Sequence, residues 1–180
     1  IREASNVKVC FRLQGGDAFL FGRGFENCMA VLSAGIPCKE IPGVTSAIAA
    51  PETYLIPPVL RGTSSSVAIV TGMEDPRKGR TFVNFRELAK AVNTIIILMG
   101  ALRINEIARE LIEGGIDPGT YAAIIMRAYM ENSKVTITTV GKLAAEQVNA
   151  ENPSVIVIGD VVREGLKAMK TAGINFELNV

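Results

Sequence analysis

Short apolar runs stand out in the second half of the chain, from residue 66 onward. Four of them are continuous, and they cover residues 67–70, 94–99, 122–126 and 155–158. Continuous runs rich in β-branched residues are typical of strands covered on both faces, as in the parallel or mixed sheets of α/β proteins. Residues 134–140 and 174–180 alternate apolar and polar positions, which predicts two further strands.

Segments with helical periodicity lie between these runs. Asn84 and, three residues later, Glu87 form an N-cap arrangement at the start of one such segment, and Gly114 ends another. Helices are predicted over residues 85–92, 141–148 and 162–171. A fourth is predicted where Ile104, Ile107, Leu111 and Ile112 follow helical spacing. The resulting order is strand, helix, strand, helix, strand, strand, helix, strand, helix, strand. It describes a small α/β domain with a mixed sheet.

The chain before Pro57–Pro58 is organised differently. It holds two strand candidates, residues 7–13 and 38–41, with a helix predicted over residues 25–32 between them. One strand–helix–strand unit cannot cover both faces of its own sheet. Because a Pro–Pro pair is a natural linker, we predict two domains. Residues 1–58 are the remainder of a first α/β domain, and residues 59–180 are a second one with a mixed sheet.

Composition and charge narrow the classes of function. Of the 180 residues 48% are hydrophobic, which supports a packed core and excludes disorder. Nineteen basic against 18 acidic side chains give a net charge of +1, which leaves no electrostatic footprint for nucleic acid or an anionic membrane. No apolar run reaches about 18 residues and no signal-peptide pattern opens the chain. We therefore expect a soluble, cytoplasmic protein.

Cysteine and histidine usage restricts the chemistry further. Cys10, Cys28 and Cys38 are odd in number and lack a CxxC spacing, so we expect three reduced thiols. The chain contains no histidine. This excludes Ser-His-Asp triads, Cys-His dyads, haem ligation by histidine and zinc sites built on imidazole. We expect no bound metal.

Two glycines and an acidic residue follow the first predicted strand. Gly15, Gly16 and Asp17 stand where open α/β sheets bind ligands, at the carboxyl end of a parallel strand. Glycines at such a position let a ligand approach the backbone closely. The triplet also fits a tight turn in which Asp17 begins the turn or caps a helix.

A glycine-flanked arginine precedes the helix predicted over residues 25–32. Arg23 lies between Gly22 and Gly24, and Glu26 falls in the first helical turn. An accessible guanidinium binds a carboxylate through two parallel hydrogen bonds. The alternative is a surface arginine beside a glutamate that favours the helix N-terminus.

Three more segments carry candidate side chains. Thr45 and Ser46 follow a Pro–Gly turn and precede a helix predicted over residues 47–50, where they either hold a polar ligand or cap the helix. Arg61 precedes a run of hydroxyl residues, which suits an acidic ligand or a solvated turn. Met99 ends the most apolar strand, where a thioether packs on an aromatic ring or in the core.

Together these motifs resemble one family. The runs GGDAFLFGRGFE, PGVTSAIAAP, IIILMG and NPSVIVIGDVV resemble the tetrapyrrole methylases in order and spacing, over about residues 7–162. The resemblance implies two α/β domains with an S-adenosylmethionine cleft between them, the first domain being incomplete in this chain. It also implies C-methylation of uroporphyrinogen III at C-2 and C-7 to precorrin-2, for sirohaem or cobalamin biosynthesis.

The resemblance assigns residues to both ligands. The cofactor-binding residues that it implies are Gly15, Gly16, Asp17, Leu20, Thr45, Ser46, Met99 and Ala128. The substrate-binding residues that it implies are Arg23, Arg61 and Met99. Arg23 and Glu26 are implied as catalytic, with Glu26 removing the pyrrole proton. Ser154 is an additional cofactor candidate, at a position where the family often has alanine.

The chain departs from the family pattern on the substrate side. Ala18 stands where the family usually has proline, Phe25 and Asn27 replace a glycine and a glutamate, and Val59–Leu60 replaces Thr-His. Two alternatives therefore stay open, another precorrin methyltransferase and a non-catalytic ligand-binding module with this fold. The resemblance also implies a homodimer. Because the family begins with further strand–helix units, about 60–70 residues are expected before residue 1.

Overall fold

A computed structural model describes residues 2–74 and 82–180. These residues form two compact units, one ending at Ser46 and the other beginning at Ala47. The domain boundary expected after residue 58 stays a prediction. Within the described ranges, no helix combines the length and the apolar character needed to cross a membrane.

The first unit contains two helices, α1 (Arg2–Asn6) and α2 (Gly24–Leu32). α2 confirms the helix predicted over residues 25–32. Its first residue, Gly24, is buried. A side chain would clash there, because a Cβ at Gly24 would stand 2.7 Å from the carbonyl oxygen of Ala18. The Gly24 amide donates a hydrogen bond of 2.7 Å to that same oxygen, which fixes the approach of the chain to the helix.

The strands predicted over residues 7–13 and 38–41 are wrong. Among the described residues that precede Val67, no strand is assigned. The apolar side chains of the first segment are exposed, Phe11 by 77% and Leu13 by 91%. Alternation predicts which side chains share a face, but a strand also needs a neighbour to complete its hydrogen-bond ladder. In the part of the chain that the structure describes, neither segment has such a neighbour.

The expectation of three reduced thiols is also wrong. Cys28, within α2, forms a disulfide with Cys38, and their Cα atoms lie 5.7 Å apart. Cys10 is free and exposed. The two bonded cysteines meet because Gly35, with a φ of 75°, turns the chain back after α2. The sequence spacing of the cysteines gives no sign of this reversal.

The second unit is built around a six-stranded sheet that follows helix α3 (Ser46–Thr53). Its strands are β1 (Val67–Thr71), β2 (Thr94–Leu98), β3 (Tyr121–Met126), β4 (Lys134–Thr139), β5 (Ser154–Ile158) and β6 (Glu177–Leu178). Its helices are α4 (Phe85–Ala91), α5 (Ile104–Glu113), α6 (Val140–Ala144) and α7 (Asp160–Ala172). The predicted order of strands and helices is confirmed. Asn84 caps α4 by accepting a hydrogen bond of 3.2 Å from the Glu87 amide, also as predicted.

The strands lie in the order β1-β2-β5-β3-β4-β6. β1 is parallel to β2, and β4 to β6, whereas the other neighbouring pairs are antiparallel. This confirms the predicted mixed sheet. The carboxyl ends of β1, β2 and β3 therefore share one end of the sheet with the amino ends of β4 and β5. We call it the Met99 end, and the opposite end the Thr94 end.

Apolar side chains cover the sheet on both faces. Ile95, Ile97 and Ile156 join one buried cluster with Ile107 and Leu111 of α5. Neighbouring residues along the same strands point to the other face, where α7 packs against β3 and β5. Burial on both faces explains why these strands are continuous apolar runs in the sequence.

Candidate functional site

Two glycine-containing loops of the first unit touch each other. A Cβ at Gly43 would stand 2.1 Å from the carbonyl oxygen of Gly16, so only the absence of a side chain permits this approach. Gly16 has a φ of 75°, a conformation that favours glycine. The structure thus brings together the loop of Gly15–Asp17 and the turn before Thr45. A Cβ at Gly15 would meet nothing within 4 Å, so this backbone faces open space.

Asp17 adopts the turn that the sequence allows. Its Oδ1 accepts hydrogen bonds of 2.9 Å from the amides of Phe19 and Leu20. One carboxylate oxygen therefore holds the loop in shape, which is the structural role left open for this residue. Leu20 is half-buried on the same turn. The other oxygen, Oδ2, accepts no hydrogen bond within the described residues.

Arg23 and Glu26 lie together on an exposed surface. Arg23 precedes α2 with a φ of 60°, and its Nε is 3.7 Å from Oε1 of Glu26. Their side chains are 83% and 61% exposed, so the ion pair contributes little stability. Residues other than glycine that are held in such a backbone conformation cluster at functional positions.

A surface cavity of about 320 Å³ adjoins this pair. Its lining consists of Arg12, Gly22, Arg23, Glu26 and Asn27. Arg12 was not predicted from the sequence, because it lies in a segment interpreted only as a strand. Its guanidinium donates to Gln14, whose amide nitrogen donates to the Gly22 carbonyl oxygen at 2.6 Å. The cavity therefore carries two guanidinium groups and one carboxylate, a set suited to a ligand with several acidic groups.

Thr45 and Ser46 stand at the start of α3. The helix begins at Ser46, which is exposed, and Thr45 directly before it is half-buried. The predicted helix over residues 47–50 is thus confirmed and extends to Thr53. Hydroxyls and free amide groups at a helix start can bind a polar ligand group.

Met99 directly follows β2 with a φ of 54° and is 47% exposed. A Cβ at Gly72, after β1, would lie 2.4 Å from the Cα of Gly100, so two glycines pack the ends of these strands together. Arg103 reinforces the contact by donating to the Gly72 carbonyl oxygen at 3.2 Å. The backbone around Met99 is therefore held in an unusual conformation by tight packing.

Arg103 forms a bidentate ion pair with Glu106. Its Nε and Nη2 atoms donate hydrogen bonds of 2.8 Å to the two carboxylate oxygens. Hydrogen bonding from Arg103 lowers the pKa of the Glu106 carboxyl, and hydrogen bonding to Glu106 raises the pKa of Arg103. This pair fixes the arginine that holds Gly72.

Ala128 and Ser154 also lie at the Met99 end. Met126, the last residue of β3, pairs with Ser154, and Leu98 pairs with Val155, so Ser154 falls in register between β2 and β3. Ala128 follows β3 and is half-buried. Within the described residues, the buried hydroxyl oxygens without a hydrogen-bond partner are Ser154 Oγ and Thr138 Oγ1. The first is at the Met99 end and the second near the Thr94 end.

Arg61 lies apart from Met99. It is exposed in a turn closed by hydrogen bonds between Leu60 and Ser64, and the Ser64 hydroxyl is 2.8 Å from that of Thr94. Five residues of β2 span about 17 Å. The structure therefore places Arg61 beside the Thr94 end of the sheet and does not bring it to Met99.

Comparisons with known proteins give a consistent result. The family described as Tetrapyrrole (Corrin/Porphyrin) Methylases matches residues 1–144. The S-adenosyl-L-methionine-dependent uroporphyrinogen III methyltransferase of Methanosarcina barkeri is 38% identical over 164 residues, which cover 90% of this chain. The uroporphyrinogen-III C-methyltransferase of Bacillus subtilis is 39% identical over 165 residues, again 90% of this chain. The chain spans 64% and 63% of the lengths of these two relatives.

A solved structure shows the same fold. The uroporphyrin-III C-methyl transferase of Thermus thermophilus, crystallised with S-adenyl homocysteine, superposes with a TM-score of 0.79 at 32% identity. The likeness covers 91% of this chain and 71% of that one. It confirms the fold that the sequence motifs predict.

Proposed function

The chain belongs to the tetrapyrrole methylase family, and we propose on this basis that the protein is an S-adenosylmethionine-dependent C-methyltransferase. Its proposed reaction is methylation of uroporphyrinogen III at C-2 and C-7 to precorrin-2, for sirohaem or cobalamin biosynthesis. The observation that carries the proposal is the contact of Gly16 with Gly43, which joins the two loops that resemble the family's cofactor motifs. The names of the similar proteins from M. barkeri and B. subtilis support it.

The residues present fit a nucleoside cofactor. Open space faces the backbone at Gly15, where a Cβ would intrude on a ligand. The buried Ser154 hydroxyl, without a partner in the described residues, is a free donor and acceptor beside Met99. We assign cofactor binding to the set carried by the family motifs, Gly15, Gly16, Asp17, Leu20, Thr45, Ser46, Met99 and Ala128.

Arginines are suited to the proposed substrate. A tetrapyrrole with many carboxylates is bound best by guanidinium groups, which form two parallel hydrogen bonds with each carboxylate. Arg23 and Arg12 line the same cavity as Glu26. We assign Arg23 to substrate binding, with Met99 as an apolar contact for the macrocycle. Arg61, beside the Thr94 end, is assigned to a carboxylate at a different position on the substrate.

The proposed chemistry requires no histidine. When bound, S-adenosylmethionine supplies a methyl group that is already activated for transfer. The work left to the chain is to align the ligands and to exclude water. Glu26, exposed and 3.7 Å from Arg23, is assigned as the acceptor of the proton that the pyrrole loses.

The test uses the full chain under anaerobic conditions. The protein is incubated with labelled S-adenosylmethionine and uroporphyrinogen III, and the product is identified by mass spectrometry. Two methyl groups on the tetrapyrrole are expected. Parallel incubations contain other precorrins, and methylation of one of these but not of uroporphyrinogen III would point to another member of the family. Binding without turnover would point to a ligand-binding module. Either result overturns the proposed reaction.

The proposed enzyme is a cytoplasmic homodimer. The resemblance to the family supports this assembly, and the charge balance of 19 basic to 18 acidic residues gives no surface preference for membranes. Sedimentation equilibrium measures the assembly directly. A single species with the mass of one chain would contradict the dimer.

A further inference from the structure

A buried tyrosine is joined to a distant loop by one hydrogen bond. Tyr54 follows α3 and is only 6% exposed. Its hydroxyl lies 2.8 Å from the hydroxyl of Ser133, which is 79 positions later in the chain. A buried tyrosine hydroxyl needs a polar partner, because leaving it unpaired would cost the desolvation of that group. Ser133 meets this need.

The backbone around Tyr54, directly after α3, is fixed by hydrogen bonds and packing. The amides of Tyr54 and Ile56 both donate hydrogen bonds of 3.0 Å to the carbonyl oxygen of Pro51. Ile56 is fully buried, and a Cβ at Gly165 would lie 2.5 Å from its Cγ1, so α7 packs closely against it. The ring of Tyr54 is therefore attached to a rigid part of the second unit.

The other partner lies in the loop that joins β3 to β4. Arg127 and Tyr129 adopt φ values of 52° and 65°, which side chains other than glycine rarely do. Hydrogen bonds of 3.0 Å link the Met130 amide to the Arg127 carbonyl oxygen and the Ser133 amide to the Met130 carbonyl oxygen. Such a conformation persists only where surrounding contacts determine it. Ala128 lies between the two strained residues.

We infer that Tyr54 is a positioning residue for the cofactor, acting through Ser133. The hydrogen bond between the two hydroxyls holds the far end of the β3–β4 loop, and so fixes the place of Ala128. The inference rests on the proposed function, which assigns Ala128 to the cofactor. Tyr54 itself contacts neither the cofactor nor the substrate in this proposal.

The test compares variants in the full chain. Tyr54→Phe and Ser133→Ala each remove one hydroxyl, and Ser133→Thr keeps it. Tyr121→Phe, at the other end of β3, is the matched control. The dissociation constant of S-adenosylhomocysteine is measured by calorimetry, together with the melting temperature of the unliganded protein. Removal of one hydrogen bond is expected to weaken binding about two- to tenfold.

Four outcomes support the inference together. Tyr54→Phe and Ser133→Ala weaken binding equally, the double variant is no weaker than either single one, Ser133→Thr binds as the parent does, and Tyr121→Phe is unchanged. If Tyr54→Phe lowers only the melting temperature and leaves the dissociation constant unchanged, the role is structural and the inference fails. If the parent protein does not bind S-adenosylhomocysteine, the proposed function fails, and the inference with it.

Discussion

The Cα of Gly43 lies so near the carbonyl oxygen of Gly16 that a Cβ there would stand 2.1 Å away. These residues are 27 positions apart in the chain, on two loops that contain no regular secondary structure. Their contact depends on the absence of a side chain at Gly43. Two motifs that the sequence shows separately thus form one surface within the first unit.

Gly43→Ala is expected to destabilise the first unit. The added methyl group cannot fit against the backbone of Gly16, and overpacking of this kind costs about 1–3 kcal/mol. Hydrogen exchange followed by mass spectrometry should show faster exchange in residues 14–46. Unchanged exchange there would mean that the two loops do not touch in solution.

Gly15→Ala is the matched comparison. A Cβ at Gly15 meets nothing within 4 Å, so stability should stay within about 0.5 kcal/mol of the parent. Because the methyl group would fill space assigned to the cofactor, we expect about tenfold weaker binding of S-adenosylhomocysteine. Equal affinity would remove Gly15 from the proposed site.

Arg23→Gln and Glu26→Gln should affect activity far more than stability. Both side chains are largely exposed, and exposed ion pairs contribute about 0–1 kcal/mol. Loss of a proton acceptor is expected to lower kcat about 100-fold for Glu26→Gln. Loss of a charged hydrogen bond is expected to raise KM for the tetrapyrrole about tenfold for Arg23→Gln. Steady-state kinetics and urea unfolding measure both effects.

Arg61→Gln tests the second arginine separately. Arg61 lies beside the Thr94 end of the sheet, away from Met99. The substitution should therefore raise KM for the tetrapyrrole without changing the affinity for S-adenosylhomocysteine. A variant with parental KM would show that this arginine belongs only to its turn.

Ser154→Ala and Thr138→Val remove the two buried hydroxyls that have no hydrogen-bond partner within residues 2–74 and 82–180. Neither should lower stability, because a buried unpaired hydroxyl is itself unfavourable by about 1–3 kcal/mol. Only Ser154→Ala should weaken S-adenosylhomocysteine binding, since Thr138 is near the Thr94 end. Thermal melting and calorimetry together distinguish the variants. Equal affinities in both would show that the Ser154 hydroxyl does not face the cofactor.

The Arg103–Glu106 pair should make stability depend on pH in the acid range. The pKa of Glu106 is lower in the folded protein than its ordinary value of 4.5. The ion pair therefore adds to the free energy of unfolding above pH 4.5, and this contribution is lost as the pH falls through the folded pKa. Glu106→Gln should therefore cost about 0.5 kcal/mol at pH 7 and nothing in more acidic solution. Urea unfolding of the parent and the variant at pH 7 and in the more acidic solution measures this difference.

The sheet of the second unit could be predicted from sequence because its strands are buried on both faces. In β2 every residue after Thr94 is apolar, and a continuous apolar run can be recognised in the sequence before the neighbouring strands are known. Helix ends were less predictable. α6 ends at Ala144, four residues earlier than predicted, because Glu146 turns into a left-handed conformation with a φ of 59°. No residue type in the segment indicates that turn.

The residues of the candidate site could be predicted only where the residue type by itself indicates the local backbone geometry. Glycines at positions 15 and 16 indicate close backbone approach by their identity alone. Arg12, by contrast, joins Arg23 only through the fold of the first unit. The bond between Tyr54 and Ser133 and the position of Arg61 likewise depend on contacts between distant parts of the chain. Periodicity and spacing carry no information about such contacts.

The disulfide of the first unit gives the two units different chemical sensitivities. All three cysteines precede Ser46, so the six-stranded sheet contains none. The disulfide closes a loop of 10 residues. By lowering the entropy of the unfolded chain it stabilises the folded unit by about 2–3 kcal/mol. A thiol reductant therefore loosens the segment that carries Gly16, Arg23 and Gly43 and has no bond to cleave in the sheet. Most of the residues that we assign to the two ligands lie in this first unit, so reduction of the disulfide should disturb them more than it disturbs Met99 and Ala128.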